Sequence, residues 1–215
     1  LIGVFPIRDH YYEPIFDLRH VCSRSRTIQN LAAIDWNVDG QLASLTNLVY
    51  HDELPSLLNR TDTLSPFVVK NAMFEAGDAD YWYQTIRQRK PKRIFEVGSG
   101  NSSIVALRAI QKNQEDDHNY KCELVCIEPY EAPWLESTGA QVMRKRLEEI
   151  ELDFFSQLTS NDILFIDSSH VIKPGGDVTY AYLEILPSLR PGVLVHIHDI
   201  FSPRHYRSDW MNEKI

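Results

Sequence analysis

From residue 78 onward, short apolar runs alternate with longer segments whose apolar residues fall at helical spacing. "DADYWYQTIRQRK" reads as a helix with Asp78 as its N-cap, stopped before Pro91. "KRIFEVGSG" reads as a strand entering a glycine turn, and "NSSIVALRAIQKN" as the helix that follows. "KCELVCIEPY" is a second strand, "GAQVMRKRLEE" a weaker third, "LDFFSQL" a short helix and "DILFIDSS" a fourth strand. "DVTYAYLEILPSL" places Val178, Tyr182, Ile185 and Leu189 at helical spacing, between Gly175–Gly176–Asp177 and Pro191–Gly192. "GVLVHIHDIF" is a fifth strand. Strands alternating with helices imply an α/β, doubly wound, mostly parallel sheet with right-handed crossovers.

The first 70 residues lack this regularity. In "DGQLASLTNLVYHDEL", Leu42, Leu45, Leu48 and Val49 share one helical face, and Asp39 is placed to cap it. Residues 1–70 are therefore expected to form a partly helical N-terminal cap over the carboxyl edge of the sheet. Tyr11, Tyr12, Phe16 and Trp36 would pack within it. Residues 71–215 would form the α/β domain.

Composition narrows the class. The 215-residue chain is 43% hydrophobic and 24% charged, an ordinary globular balance. A net charge of −8 argues against nucleic acid as a partner, since phosphate binding needs a basic face. No apolar run approaches a membrane span, and the start lacks the pattern of a signal peptide. Cys22, Cys122 and Cys126 have no metal-type spacing and read as free thiols, consistent with a cytoplasmic location.

The chemistry gathers at strand ends, where open α/β sheets bind their ligands. "EVGSGNSS" puts Gly98 and Gly100 between a strand and a helix, so a backbone can approach a ligand closely. A dinucleotide site would want a third glycine where the chain has Ser103, and Glu96 would repel a pyrophosphate. A carboxylate suits a ligand with an ammonium group instead, such as S-adenosylmethionine. The second strand ends on Glu128, an acid placed to accept ribose hydroxyls; the 30-residue gap from Gly98 exceeds the usual spacing, and "KNQEDDHNYK" reads as the longer loop responsible. The fourth strand runs into Asp167, Ser168 and His170. His170 is the natural base for a hydroxyl acceptor, with Asp167 or Asp199 orienting it. His196 and His198 share one strand face and read as a structural pair.

Together, "EVGSG", "CIEPY", "DILFIDSSH" and "HIHDIF" resemble the class I S-adenosylmethionine-dependent methyltransferases. More narrowly they resemble an uncharacterised methyltransferase group carrying the D-I-L-F-I-D-S-S-H motif. The resemblance covers roughly residues 65–205. It implies a Rossmann-like methyltransferase fold with strand order 3-2-1-4-5-7-6, whose last two strands are expected to be missing here. It also implies S-adenosylmethionine bound by Glu96, Gly98, Ser99, Gly100, Ser102, Ser103, Glu128, Pro129, Asp167 and Ser168. The implied reaction is O-methylation of a small-molecule or sugar-like hydroxyl, with His170, Asp167 and Asp199 as catalytic residues. Metal-dependent relatives place carboxylates where Asp167 and Asp199 stand. A divalent metal, on Asp167, His198 and Asp199, is admitted but not favoured, because Ile200 cannot serve as a ligand and His198 suits a softer ion. Two alternatives stand beside this reading: an inactive cofactor-binding scaffold and, disfavoured by Glu96 and Ser103, a nicotinamide-dependent oxidoreductase.

Overall fold

The structure is a computed structural model and describes residues 31–206 apart from 33, 59–66, 68–69, 72 and 131. The expectations for Tyr11, Tyr12, Phe16 and Cys22 lie outside the described residues. The chain divides into two compact units: Val38–His198, and Leu1–Asn37 together with Asp199–Ile215. In the second of these, the described residues include a half-buried Trp36 and the Phe201–Tyr206 ring pair.

The larger unit holds a five-stranded, all-parallel sheet: β1 (Arg93–Val97), β2 (Glu123–Ile127), β3 (Gln141–Met143), β4 (Ile163–Ile166) and β5 (Leu194–Ile197). Its order is β3-β2-β1-β4-β5, so the direction of winding reverses between β1 and β4. Open sheets leave a crevice at that point, above the carboxyl ends. The helices are α1 (Val38–Thr46), α2 (Leu54–Leu58), α3 (Ala76–Arg89) and α4 (Asn101–Asp116), then α5 (Asp177–Tyr180) and α6 (Leu186–Ser188).

Strand alternation divides the core into two layers. Ile94, Leu124, Cys126, Ile163 and Phe165 face α3 and α4, and meet Trp82, Ile86, Ile104 and Val105. Phe95, Val97, Val125, Ile127, Leu164 and Ile166 face the other way, onto Leu147, Phe155, Ala181 and Ile185. Glu96 sits two residues after Ile94. It therefore points into the α3/α4 layer, which explains why a carboxylate is completely buried there.

Several local expectations are corrected. Glu75, not Asp78, occupies the cap of α3; Asp78 lies in the first turn. The helix does stop before Pro91, on a left-handed Lys90 (φ 47°). Asp39 lies inside α1 rather than capping it, and α1 buries none of its residues. α4 runs on to Asp116, so the first half of "KNQEDDHNYK" is helix rather than loop. Between α5 and α6 a π turn, Ala181–Ile185, rotates the inward face. Ala181 and Ile185 are buried, while Tyr182 remains 39% exposed.

The expected cap over the carboxyl edge does not hold for residues 44–53. Ser44, Asn47 and Leu48 share a cavity of about 430 Å³ with Thr85, Gln88 and Arg89 of α3, and with Asn161 and Leu194 at the amino ends of β4 and β5. The reason is electrostatic. Arg87, 1% exposed, makes bidentate contacts with Glu53 (2.7 and 2.9 Å) and a further one with Asp116 (2.5 Å). Tyr83 donates to the same Glu53 carboxylate at 2.7 Å, and the guanidinium lies 4.5 Å from the centre of the Tyr50 ring. A buried guanidinium needs such partners, and they fasten this segment toward the C-terminal half of α3.

Candidate active site

The turn after β1 is strapped to both neighbouring strands. The Gly98 amide donates to the Ile127 carbonyl (3.0 Å), and the Asp167 amide donates to the Val97 carbonyl (2.8 Å). Gly98 has φ +75°, and a Cβ there would lie 1.8 Å from the Asp167 carbonyl oxygen. Its glycine is thus required by the close approach of the chain leaving β4 rather than by a ligand. Gly100 is the opposite case. A Cβ there would meet nothing within 4 Å, so the space over the start of α4 is open.

Glu96 and Glu128 bracket this turn from below and from the side. Ser103 Oγ donates to Glu96 Oε2 at 2.5 Å and accepts from the Gly100 amide at 3.0 Å. Cys126 Sγ approaches the same Glu96 oxygen at 3.7 Å. Burial, resisted by the Ser102, Ser103 and Cys126 donors and reinforced by the Asp167 charge, pushes the Glu96 carboxyl up to about 7. Glu96 Oε1 and Ser99 Oγ are both buried without a hydrogen-bond partner. Glu128 accepts from the Ser99 amide (3.3 Å) through one oxygen and from the Tyr130 amide (2.9 Å) through the other. The second acid therefore faces the glycine turn, where the sequence reading put it.

At the next strand ends the partners of the carboxylate are imidazoles rather than hydroxyls. His170 Nε2 lies 3.1 Å from Asp167 Oδ1. His198 Nδ1 lies 3.4 Å from the same oxygen, and His198 Nε2 lies 3.5 Å from Asp78 Oδ2. Burial raises the Asp167 carboxyl, but the hydrogen bonds and charges of His170 and His198 outweigh it and hold the group down at about 2. The His198 ring, 5% exposed, packs against Phe74 and Phe165. His196 lies on the same strand face, against Tyr81, Trp82 and Phe165. Burial and the neighbouring His198 charge push His196 down to about 4, against the pull of Asp78 and Asp167. An aromatic-packed, neutral His196 fits the structural role read for the pair.

The backbone around His170 is held in an uncommon shape. His170 has φ 56°, a left-handed value that is costly for a residue with a Cβ. The loop is clasped at its base by Asp177, whose carboxylate accepts from the Ser169 amide (2.8 Å) and hydroxyl (2.7 Å). Pro129 and Ser168 are half-buried at the ends of β2 and β4. Asp199 is the first residue of the other compact unit, and it too has a left-handed φ, 55°.

Sequence reasoning missed Asp78. It reads as a helix cap, yet its carboxylate faces the ring of a histidine 120 positions away, and nothing local signals that. It read Glu96 as a ligand contact without foreseeing that the side chain is fully covered. The period-2 placement beside Ile94 is the signal that could have found this.

Comparison with known proteins fits the geometry. The chain is 29% identical over 177 residues to an uncharacterized protein of Archaeoglobus fulgidus, covering 74% of this chain and 76% of that one. Residues 95–200, from within β1 to just past β5, match the family described as a methyltransferase domain. That match, the all-parallel order β3-β2-β1-β4-β5 and an acid at the end of each of β1 and β2 support a methyltransferase domain with a Rossmann-like fold over these residues.

Proposed function

We propose that the protein is an S-adenosylmethionine-dependent methyltransferase that acts on the hydroxyl of a small molecule. The observation that supports the cofactor best is Glu128 facing the Ser99 amide, at the edge of the open space over Gly100. Glu128 is a carboxylate that accepts hydrogen bonds, and a ribose hydroxyl is a donor of the kind it takes. The buried Ser99 hydroxyl without a partner is the kind of group a polar ligand satisfies. The residues present therefore fit the cofactor that the family implies. When bound, S-adenosylmethionine supplies a methyl group on a positively charged sulfur.

The chain's own residues would do the rest. A carboxylate only accepts hydrogen bonds, so Asp167 stabilises the form of His170 that carries its proton on Nε2. Nδ1 is then the basic nitrogen, and it would take the proton of the acceptor hydroxyl. Asp167 stays ionised throughout and steadies the imidazolium that results, which lowers the cost of the transfer. The clasp between Ser169 and Asp177 keeps the loop, and with it the ring, in place.

Calorimetry with S-adenosylhomocysteine and, separately, NAD tests the cofactor. Binding of the first and not the second is expected; the reverse would sink the reading. Glu128→Ala should weaken S-adenosylhomocysteine by roughly 1–3 kcal/mol, and an unchanged affinity would remove Glu128 from the site. With small hydroxyl acceptors and S-adenosylmethionine, His170→Ala should lower turnover by roughly 10²–10⁴-fold at nearly intact cofactor affinity.

A further inference from the structure

The cavity at the amino edge of the sheet, about 430 Å³ in volume, has no part in the mechanism above. Open sheets take their principal ligand at the carboxyl edge, and this space lies at the other one. Its size falls within the range of small-molecule pockets, roughly 300–1,000 Å³. The side chains of Asn47, Tyr81, Thr85, Gln88 and Arg89 line it, and none of them makes a hydrogen bond or ion pair with a described residue. Thr85 is only 7% exposed, and a buried hydroxyl ordinarily has a partner.

The charge around the cavity is equally one-sided. No carboxylate lines it, in a chain whose net charge is −8. The segment "RQRKPKR", from Arg87 to Arg93, carries five cations. Arg87 is matched by Glu53 and Asp116, and Arg93 by Glu123 and Asp162. Arg89, Lys90 and Lys92 make no ion pair with a described residue, and Arg89 is the one of the three that lines the cavity. Asn161 holds the walls together. Its backbone sits at a left-handed φ of 74°, its amide donates to the Gly192 carbonyl at 2.8 Å, and its side chain donates to the Arg89 carbonyl at 2.8 Å. The end of α3 and the approaches to β4 and β5 are thereby pinned to one another, and a site fixed in advance loses less on binding.

We propose that this cavity is a second binding site, for a small organic anion: a sugar or polyol that carries a carboxylate or a phosphate. The oxyanion pairs with the Arg89 guanidinium, whose planar fork fits either group. The neutral hydroxyls of the ligand meet Thr85, Gln88 and Asn47, and its C–H face meets Leu48 and Leu194. The inference is independent of the cofactor reading, because it uses none of the residues at the carboxyl edge.

The test is a titration of the whole chain followed by amide NMR, with four probes: glucose 6-phosphate, glucuronate, inorganic phosphate and uncharged glucose. At least one of the two charged sugars should bind saturably, and more tightly than either inorganic phosphate or glucose. The shifts should centre on Thr85–Arg89 and Asn161. A tighter glucose 6-phosphate names a phosphate as the anion, and a tighter glucuronate a carboxylate. Arg89→Gln should weaken the bound sugar by about tenfold or more. Arg89 is exposed, so the variant should keep the native spectrum. Failure of both charged sugars to bind overturns the proposal. So does inorganic phosphate that binds as tightly as they do, which would mark an unspecific basic surface. Shifts centred on Gly98–Gly100 instead, or an affinity unchanged in Arg89→Gln, overturn it as well.

Discussion

Two carboxyl groups stand at adjacent strand ends, Glu96 in β1 and Asp167 just past β4, and they have been driven in opposite directions. Burial acts on both in the same sense, toward the neutral acid. Glu96 has only hydroxyl and thiol donors and lies near a like charge, so burial wins and the group rises to about 7. Asp167 has two imidazoles on one oxygen, so the partners win and the group falls to about 2. Burial therefore sets the stakes for a buried acid, and the identity of its neighbours sets the direction. The outcome is one carboxyl that changes charge near neutral pH and one that stays ionised beside two imidazoles.

The most severe way to break this pair is where the two strand ends meet, at Gly98 and Asp167. Gly98→Ala would drive a methyl group into the Asp167 carbonyl at a left-handed φ, disturbing both strand ends at once. A loss of about 4 kcal/mol or more is expected, read by chemical denaturation. Gly100→Ala meets no atom and should fold normally, while weakening S-adenosylhomocysteine by filling its approach.

Next in size is Glu96→Gln. The native carboxyl holds its proton above 4.5, the value it takes when unfolded, up to about 7. Between those values the native state binds more protons than the unfolded one, so stability declines as pH rises through this window. Removing the ionisable group should thus stabilise the protein by roughly 3 kcal/mol at pH 8 and by little at pH 4. Equal effects at both pH values would show that Glu96 titrates normally.

Asp167→Asn runs the other way. The depressed carboxyl contributes stability that is present above 3.8 and lost as pH falls toward about 2. The substitution should cost roughly 1–2 kcal/mol at pH 7, after discounting for its partial exposure, and almost nothing at pH 2. The smallest effect belongs to Asp78→Asn. Its side chain is 57% exposed, and loss of the contact with His198 should cost under about 1 kcal/mol. A larger loss would mean that Asp78 anchors the His198 ring and, through it, Asp167.

Much of this was legible in the residues themselves. The strands at Arg93–Val97, Glu123–Ile127, Ile163–Ile166 and Leu194–Ile197 are continuous apolar runs or nearly so, the signature of strands covered on both faces. Glu128 and Asp167 end their runs, and chain connectivity in a parallel sheet sends all such ends to one edge. These facts are local or topological, so a single sequence determines them. What each acid does there was decided only by the tertiary structure. Ser103 meets Glu96 across seven residues, Asp167 meets Gly98 from the neighbouring strand, and Asp78 meets His198 from 120 positions away in the chain. A carboxyl's charge depends on which groups surround it and how completely water is excluded, and both are properties of packing between segments distant in the chain. For the same reason Gly98 and Gly100 read alike in the sequence yet part ways in space: one faces the Asp167 carbonyl just past β4, the other an open crevice.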